Sequence, residues 1–574
     1  MTGAGSSRTV DRLARARGHA RRSAAHLRQR ARLPFGAAVG AVLCFWLAFT
    51  PALLPRHAIF QGLVAAVAAI AGHGAGALLG WIVRRSGGRL TGHRRVRAWR
   101  ASAAVAAVGT VLTLWVYVRR ENQLRALVGI TGIGAGSALV TLVVAALLFL
   151  VLLVTARGLR RAGGALGRRF SQVLPPRAAA TAGGLVVALA VSVLITDMAA
   201  GRLLGRLDAT FMVINDEFTS DVPAPTSRHL SGGPRSRETW GDLGRQGGVF
   251  ITNTPTRAEI ASFSGREAMQ PVRAYVGTGA DQEVDLQQEA TKAVRELELS
   301  GGFDRAVINV ATGTGRGWIN ENQTQALEYM WNGDVATVSM QYSYLPSWLS
   351  FIVDEQRSQD AGRLLFDGVY ERWSELPAGD RPRLVVSGES LGSFGGEAAF
   401  SGAQDLALRT DGALFVGPTN NNILRSRFTA ERDAGSPEVL PVFDGGATVR
   451  FADSPHDWDL PTPTWDGPRI GYLQHANDPI TWWDLSLAWH RPDWLREPRG
   501  RAVSPSIRWI PGLTMLQLAA DQVVANDVPA GQGHQFGQEP VRAWAKILPP
   551  PGWSDADTDR LAQTVKTSVE SNLE

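Results

Sequence analysis

Five apolar runs, each about as long as a membrane crossing, fall within the first 200 residues. A hydrocarbon core of about 30 Å takes roughly 20 residues of α-helix. Inside it every backbone N–H and C=O must be paired within the segment, so such runs fold as spanning helices. Residues 35–54, 59–83, 101–118, 137–155 and 178–199 meet the requirement. Five spans is the expected count. Four and six are the alternatives, because 101–118 is short and 124–136 is apolar enough to be re-entrant. Gly72, Gly76 and Gly80 recur every fourth residue in the second run, which lets another helix approach closely.

Charge orients these runs. Of 59 basic residues, 26 precede residue 200, all of them arginine, against only Asp11, Glu121 and Asp197. The arginines gather before residue 35, after the second run (Arg84, Arg85, Arg89, Arg94, Arg95) and between the fourth and fifth (Arg157, Arg160, Arg161, Arg168, Arg169). The other side holds only Arg56, Arg119, Arg120 and Arg125. Positive loops stay in the cytoplasm, so the N-terminus is expected there, and an odd number of spans places everything after residue 199 outside. The first run lacks a small-residue cleavage site and is followed by further runs, so it reads as an anchor. The first 200 residues carry +23 and the rest −16. The basic pI of 9.9 therefore reports membrane topology, and no folded basic surface for nucleic acid is implied. Cys44, the single cysteine, lies in an apolar run, which excludes an intramolecular disulfide, a Cys-based metal site and a thiol nucleophile outside the membrane.

Four regions follow: a basic cytoplasmic N-terminus (1–34), a transmembrane helical bundle (35–199), a linker (200–240) and an extracytoplasmic domain (241–574). The linker assignment rests on residues 218–240, rich in Pro, Ser, Thr, Gly and Arg with little periodicity. Beyond it, short apolar runs at 272–276, 306–310, 335–342, 384–387, 413–416 and 469–474 alternate with helical patterns at 282–299, 320–331 and 355–375. That alternation predicts an α/β domain, a mostly parallel sheet with helices on both faces. Residues 420–466, rich in Asp, Pro and Gly, are expected to form an insertion.

Gly388-Glu389-Ser390-Leu391-Gly392 fits G-x-S-x-G, weak evidence alone in a chain with 62 glycines. Its context strengthens it. A strand-like run precedes it and a helix-capable run follows, the strand–turn–helix of a nucleophile elbow in which Gly388 and Gly392 let backbone pass close to Ser390. A serine hydroxyl needs a base, itself oriented by a carboxylate. On this fold the acid and then the histidine follow the serine in the chain. Asp478 directly follows the 469–474 run, and His534 sits in the glycine-rich stretch Gly531-Gln532-Gly533-His534-Gln535-Phe536-Gly537. Asp484, Asp521 and Asp527 are the alternative acids. His456 precedes the acid, His490 follows it too closely, and His475 reads as a supporting or core residue. The oxyanion would be met by the N–H of Leu391 and a second donor, Thr314 or Gly315, in the loop after the 306–310 run. Trp318, Trp348, Trp482 and Trp483 line an acyl pocket or belong to the core. The chemistry requires neither cofactor nor metal.

These residues, with the multi-span N-terminus, resemble an actinobacterial family of membrane-anchored α/β-hydrolases. The resemblance covers nearly the whole chain and implies the same domain order and triad positions at Ser390, Asp478 and His534. The expected function is hydrolysis of an acyl ester, from a lipid or the cell envelope, by an integral membrane enzyme. An acyltransferase with the same triad and a non-catalytic envelope scaffold are the alternatives; an intact Ser, Asp and His in fold order argues against the latter.

Overall fold

The computed structural model describes residues 34–88, 91–197, 222–279, 284–344 and 355–571. The expected N-terminal basic segment up to residue 33, the first part of the linker and Trp348 lie outside the described residues. The chain divides into two compact units. One comprises Met1–Thr50, His57–Arg120 and Ile133–Gly158; the other comprises Pro51–Arg56, Glu121–Gly132 and Leu159–Glu574.

Four of the described helices are long and apolar enough to cross a membrane: α2 (Ala58–Arg85), α3 (Gly92–Leu127), α4 (Ala135–Phe170) and α5 (Pro176–Asp197). They support membrane association. The first expected span departs from its reading. Its helix, α1 (Phe35–Leu47), has 13 residues, about 20 Å at 1.5 Å per residue. The run was expected to continue to residue 54, but Pro51 and Pro55 supply no N–H and bias the residues before them away from the helical region. Composition alone did not register that stop. Within the first unit the glycine spacing works as expected: a Cβ on Gly76 would lie 2.1 Å from Gly36 O, and one on Gly40 2.2 Å from Gly72 O. Only glycines permit this approach of α1 to α2.

The larger unit is built on seven parallel strands: β1 (Val272–Val276), β2 (Val307–Thr312), β3 (Val335–Met340), β4 (Arg383–Glu389), β5 (Gly412–Val416), β6 (Val449–Ala452) and β7 (Arg469–Leu473). Their order across the sheet is β1-β3-β2-β4-β5-β7-β6. Strand residues alternate faces. Ile308, Val338, Leu384, Val386 and Phe415 bury one face beneath α6 (Leu286–Leu299) and α8 (Glu355–Ser374). Val307, Val335, Val385, Leu414 and Leu473 bury the other beneath α7 (Glu321–Met330), α11 (Glu539–Ile547) and α12 (Asp555–Ser571). The expected mostly parallel α/β sheet is thus found, with helices on both faces.

Two sequence expectations need correction here. Residues 420–466 are more than an insertion, because β6 lies within them and pairs with β7. The end of the linker is also structured: Ser231 N–H donates to Arg273 O at 3.0 Å, and Arg273 N–H to His229 O at 3.1 Å, so 229–231 run beside β1. Arg273, on β1, is itself fully buried. Its guanidinium donates to both carboxylate oxygens of Glu328 at 2.8 and 2.9 Å and pairs with Glu321 at 3.0 Å. Burial raises the Glu321 carboxyl to about 7, although Arg273 pulls it down.

Candidate active site

All seven strands end their carboxyl termini at the same edge of the sheet, where open α/β folds bind ligands. The central strand β4 delivers Ser390 to that edge, immediately before α9 (Leu391–Glu397). Ser390 has φ 54° and ψ −121°, a conformation costing a non-glycine residue on the order of 1–3 kcal/mol. The surroundings hold it there. Its N–H donates to Val416 O at 2.8 Å. A Cβ on Gly392 would fall 2.2 Å from Thr312 O, and one on Gly388 2.3 Å from Gly392 O. Both elbow glycines are therefore required by contact, and they bring the loop after β2 against the serine.

That loop and the start of α9 hold the N–H groups expected from sequence to meet an oxyanion. Leu391 is the first residue of its helix, and its N–H has no intrahelical acceptor. Thr314, in contrast, donates its N–H to Trp318 O at 2.9 Å, closing the loop on itself. Of the two loop amides named from sequence, this leaves Gly315.

Asp478 sits in the turn after β7, is fully buried, and caps the short helix Pro479–Trp482 by accepting Ile480 N–H on Oδ1 at 2.9 Å. Its Oδ2 lies 2.6 Å from His534 Nδ1. The opposite ring nitrogen, Nε2, is buried and makes no hydrogen bond, Ser390 Oγ included. Serine and histidine nevertheless flank one peptide: Ser390 bonds Val416 O, while a Cβ on the next residue, Gly417, would fall 2.6 Å from His534 Cε1. Burial disfavours the imidazolium, but the charge and hydrogen bond of Asp478, with Glu389 adding to them, outweigh it and raise His534 above its ordinary value. Glu389, half-buried beside the serine, accepts from Asn320 Nδ2; burial pushes its carboxyl up while His534 and Asn320 oppose the shift.

The turn carrying Asp478 and the loop carrying His534 are locked together by His475, read from sequence as a supporting or core residue, and by Asn477 and Glu539, which sequence reasoning did not single out. His475 Nδ1 lies 2.7 Å from Gly533 O and its Nε2 2.6 Å from Glu539 Oε2, with its ring stacked on Phe536 at 4.3 Å. Asn477 accepts Gly533 N–H at 2.9 Å and donates to Gln532 at 2.9 Å. Both amide groups of the residue before the histidine are thereby held. Asn477 stood in plain view beside Asp478, whereas Glu539 and Asn320 carried no local signal. The rejected histidines, His456 and His490, are exposed. His490 follows a 3-10 turn (Leu485–Ala488). Among the alternative acids, Asp484 accepts from Asn420 and Ser486, Asp521 is buried against Arg56, and Asp527 is exposed. Trp482 is core, its Nε1–H donating to His475 O at 3.0 Å, Trp483 is half-buried, and Trp318 is 37% exposed near the elbow. Among the described residues no cluster of His, Cys, Asp and Glu is arranged to hold a metal.

A parallel sheet whose central strand ends in a positive-φ serine between glycines defines the α/β-hydrolase class. The chain belongs to the alpha/beta-hydrolase family: one family profile of that description matches residues 272–561, and a second, for the family's N-terminus, matches residues 49–255. No curated protein and no solved structure matches the chain significantly.

Proposed function

We propose that this chain is a membrane-anchored serine hydrolase that cleaves a carboxylic ester, of a lipid or of the cell envelope, with Ser390 as nucleophile. The observation that carries the reading is the buried 2.6 Å contact of Asp478 with His534 Nδ1, which leaves Nε2 unpartnered beside the strand end that also holds the Ser390 backbone. A carboxylate on Nδ1 keeps the proton there and leaves Nε2 as the acceptor. Ser390 Oγ attacks the acyl carbon as His534 takes its proton. Leu391 N–H and a loop donor at Gly315 receive the developing oxyanion. The bond to the alcohol oxygen then breaks as His534 returns the proton to it. Water, deprotonated by the same histidine, releases the acid and restores the serine.

The arginine-rich segments support placing this unit outside the cytoplasm. Family membership supports hydrolase chemistry, and the carboxylic ester is the substrate class we assign to the proposed triad. The test is labelling of the full-length protein by a fluorophosphonate, whose phosphorus a triad-activated serine attacks. Labelling should be lost in Ser390→Ala while the domain stays folded; labelling that persists overturns the assignment.

A further inference from the structure

The segment Pro51–Arg56 precedes α2 in the chain, yet it belongs to the hydrolase unit. Leu53 and Leu54 are fully buried and Arg56 nearly so. Arg56 donates from Nε to Asp521 Oδ1 at 2.5 Å and from NH2 to Gln517 O at 2.8 Å, both partners lying on α10 (Leu513–Gln522). Leu53 N–H donates to the other oxygen, Asp521 Oδ2, at 3.0 Å. A fully buried carboxylate is costly without such compensation. The segment Glu121–Gly132, of the same unit, grips Arg56 from behind: Glu121 accepts the Arg56 N–H at 3.2 Å, and Arg125 donates to Arg56 O at 3.1 Å.

From α10 the contacts run on to the candidate base. Val524 N–H closes on Asp521 O at 3.0 Å, and His534 N–H closes on Ala525 O at 2.9 Å. A Cβ on Gly533 would meet Ala525 O at 2.7 Å, Val528 Cγ2 at 2.8 Å and Leu54 Cδ1 at 3.2 Å. The backbone of Gly533 and His534 therefore rests on residues 525–528 and on Leu54.

We propose that Arg56 is a positioning residue for His534: through Asp521 and α10 it fixes the carbonyl on which the His534 backbone closes, while Leu54 supports Gly533. The inference rests on reading His534 as the base. It makes a segment near residue 50 part of the catalytic unit, far from the serine in the chain.

The test compares full-length parent, Arg56→Met and Arg56→Lys in detergent, with Arg273→Met as a control that breaks a buried ion pair elsewhere. Two quantities are read: the fluorophosphonate reaction rate at Ser390, and amide hydrogen exchange across the unit. Displacement of a reacting group by about 1 Å can cost 10²-fold in rate. Arg56→Met should therefore slow the reaction roughly 10- to 100-fold and speed exchange in peptides covering 523–537, leaving β2, β4 and β5 unchanged. Arg56→Lys, which keeps the charge on Asp521, should recover part of both. Parental rate and exchange in Arg56→Met, or exchange raised equally across the sheet as in the control, would overturn the proposal. Exchange needs no nucleophile. If the parent itself fails to react, the reading of Ser390 is at fault, and the exchange pattern still decides the role of Arg56.

Discussion

Replacing Asp478 by asparagine changes almost nothing in shape and a great deal in charge. The capping contact survives, because an amide oxygen can still accept Ile480 N–H at 2.9 Å. What changes is the group 2.6 Å from His534 Nδ1. The carboxylate accepts a hydrogen bond from the N–H at that nitrogen; an amide NH₂ turned toward it donates instead and forces the imidazole proton onto Nε2. In the proposed mechanism that nitrogen accepts the Ser390 proton, so the variant would hold the base in the wrong tautomer. A hydrogen bond to a charged group contributes about 1.5–3 kcal/mol, and the tautomer block adds to it. The expected loss is about 10⁴-fold in turnover, or roughly 5.5 kcal/mol of barrier. The assay is the rate of fluorophosphonate inactivation from pH 6 to 9, with a thermal melt to show the fold intact. In the parent, His534 must be neutral to accept a proton and its pKa is raised, so activity should begin to fall with acid above the ordinary imidazole value of about 6.5. Without the Asp478 charge that acid limb should move to lower pH. A folded Asp478→Asn that reacts within tenfold of the parent, or keeps the same acid limb, refutes the reasoning; so does inactivation by His490→Ala, since that residue is exposed.

Three further outcomes are expected. Arg273→Met leaves Glu321 and Glu328 buried without their cation, so urea denaturation should show about 3–5 kcal/mol of lost stability; less than 1 kcal/mol would mean the cluster relaxes into water. Glu397 is pushed up to about 7 by burial, despite accepting from Tyr472 OH, Leu424 N–H and Arg425 N–H. The folded chain thus keeps a proton that the unfolded chain releases near 4.5, and this contribution to stability fades as pH rises toward 7, by roughly 3 kcal/mol at most. Glu397→Gln should flatten that part of the pH–stability curve, and an unchanged slope would assign it to another group. Finally, alkaline phosphatase fused to the C-terminus should be active and a fluorescent protein that folds only in the cytoplasm should stay dark; the reverse pattern would overturn the proposed orientation.

The parts of the fold that lie within one stretch of chain were legible. The central strands read as short apolar runs, and the elbow is five contiguous residues whose glycines have a steric reason to be there. Asp478 and His534 could be named because the chain order of the fold restricts the choices, and the structure brings them together. What escaped notice depends on distant partners. β6 was hidden because Arg450 interrupts it; the guanidinium is satisfied inside by the carbonyls of Gly446, Trp458, Thr462 and Thr464, which no local pattern reveals. The lock of His475 and Asn477 onto Gly533 spans 58 and 56 residues, and Glu539 reaches His475 across 64. The overshoot of α1 had another origin. Hydrophobicity reports what a segment can be buried in, and Leu53 and Leu54 are buried in protein.

The ion pair of Arg56 with Asp521 joins residues 465 apart. At about 5–20 residues per second, the ribosome makes the second roughly 20–90 s after the first. During that interval an arginine just after Leu53 and Leu54 waits without the Asp521 carboxylate that will pair with it. The loop carrying His534 cannot take its final shape until α10 has been made. A nascent chain that has not yet reached α10 therefore has no assembled candidate base, and the proposed hydrolytic centre stays silent over that interval.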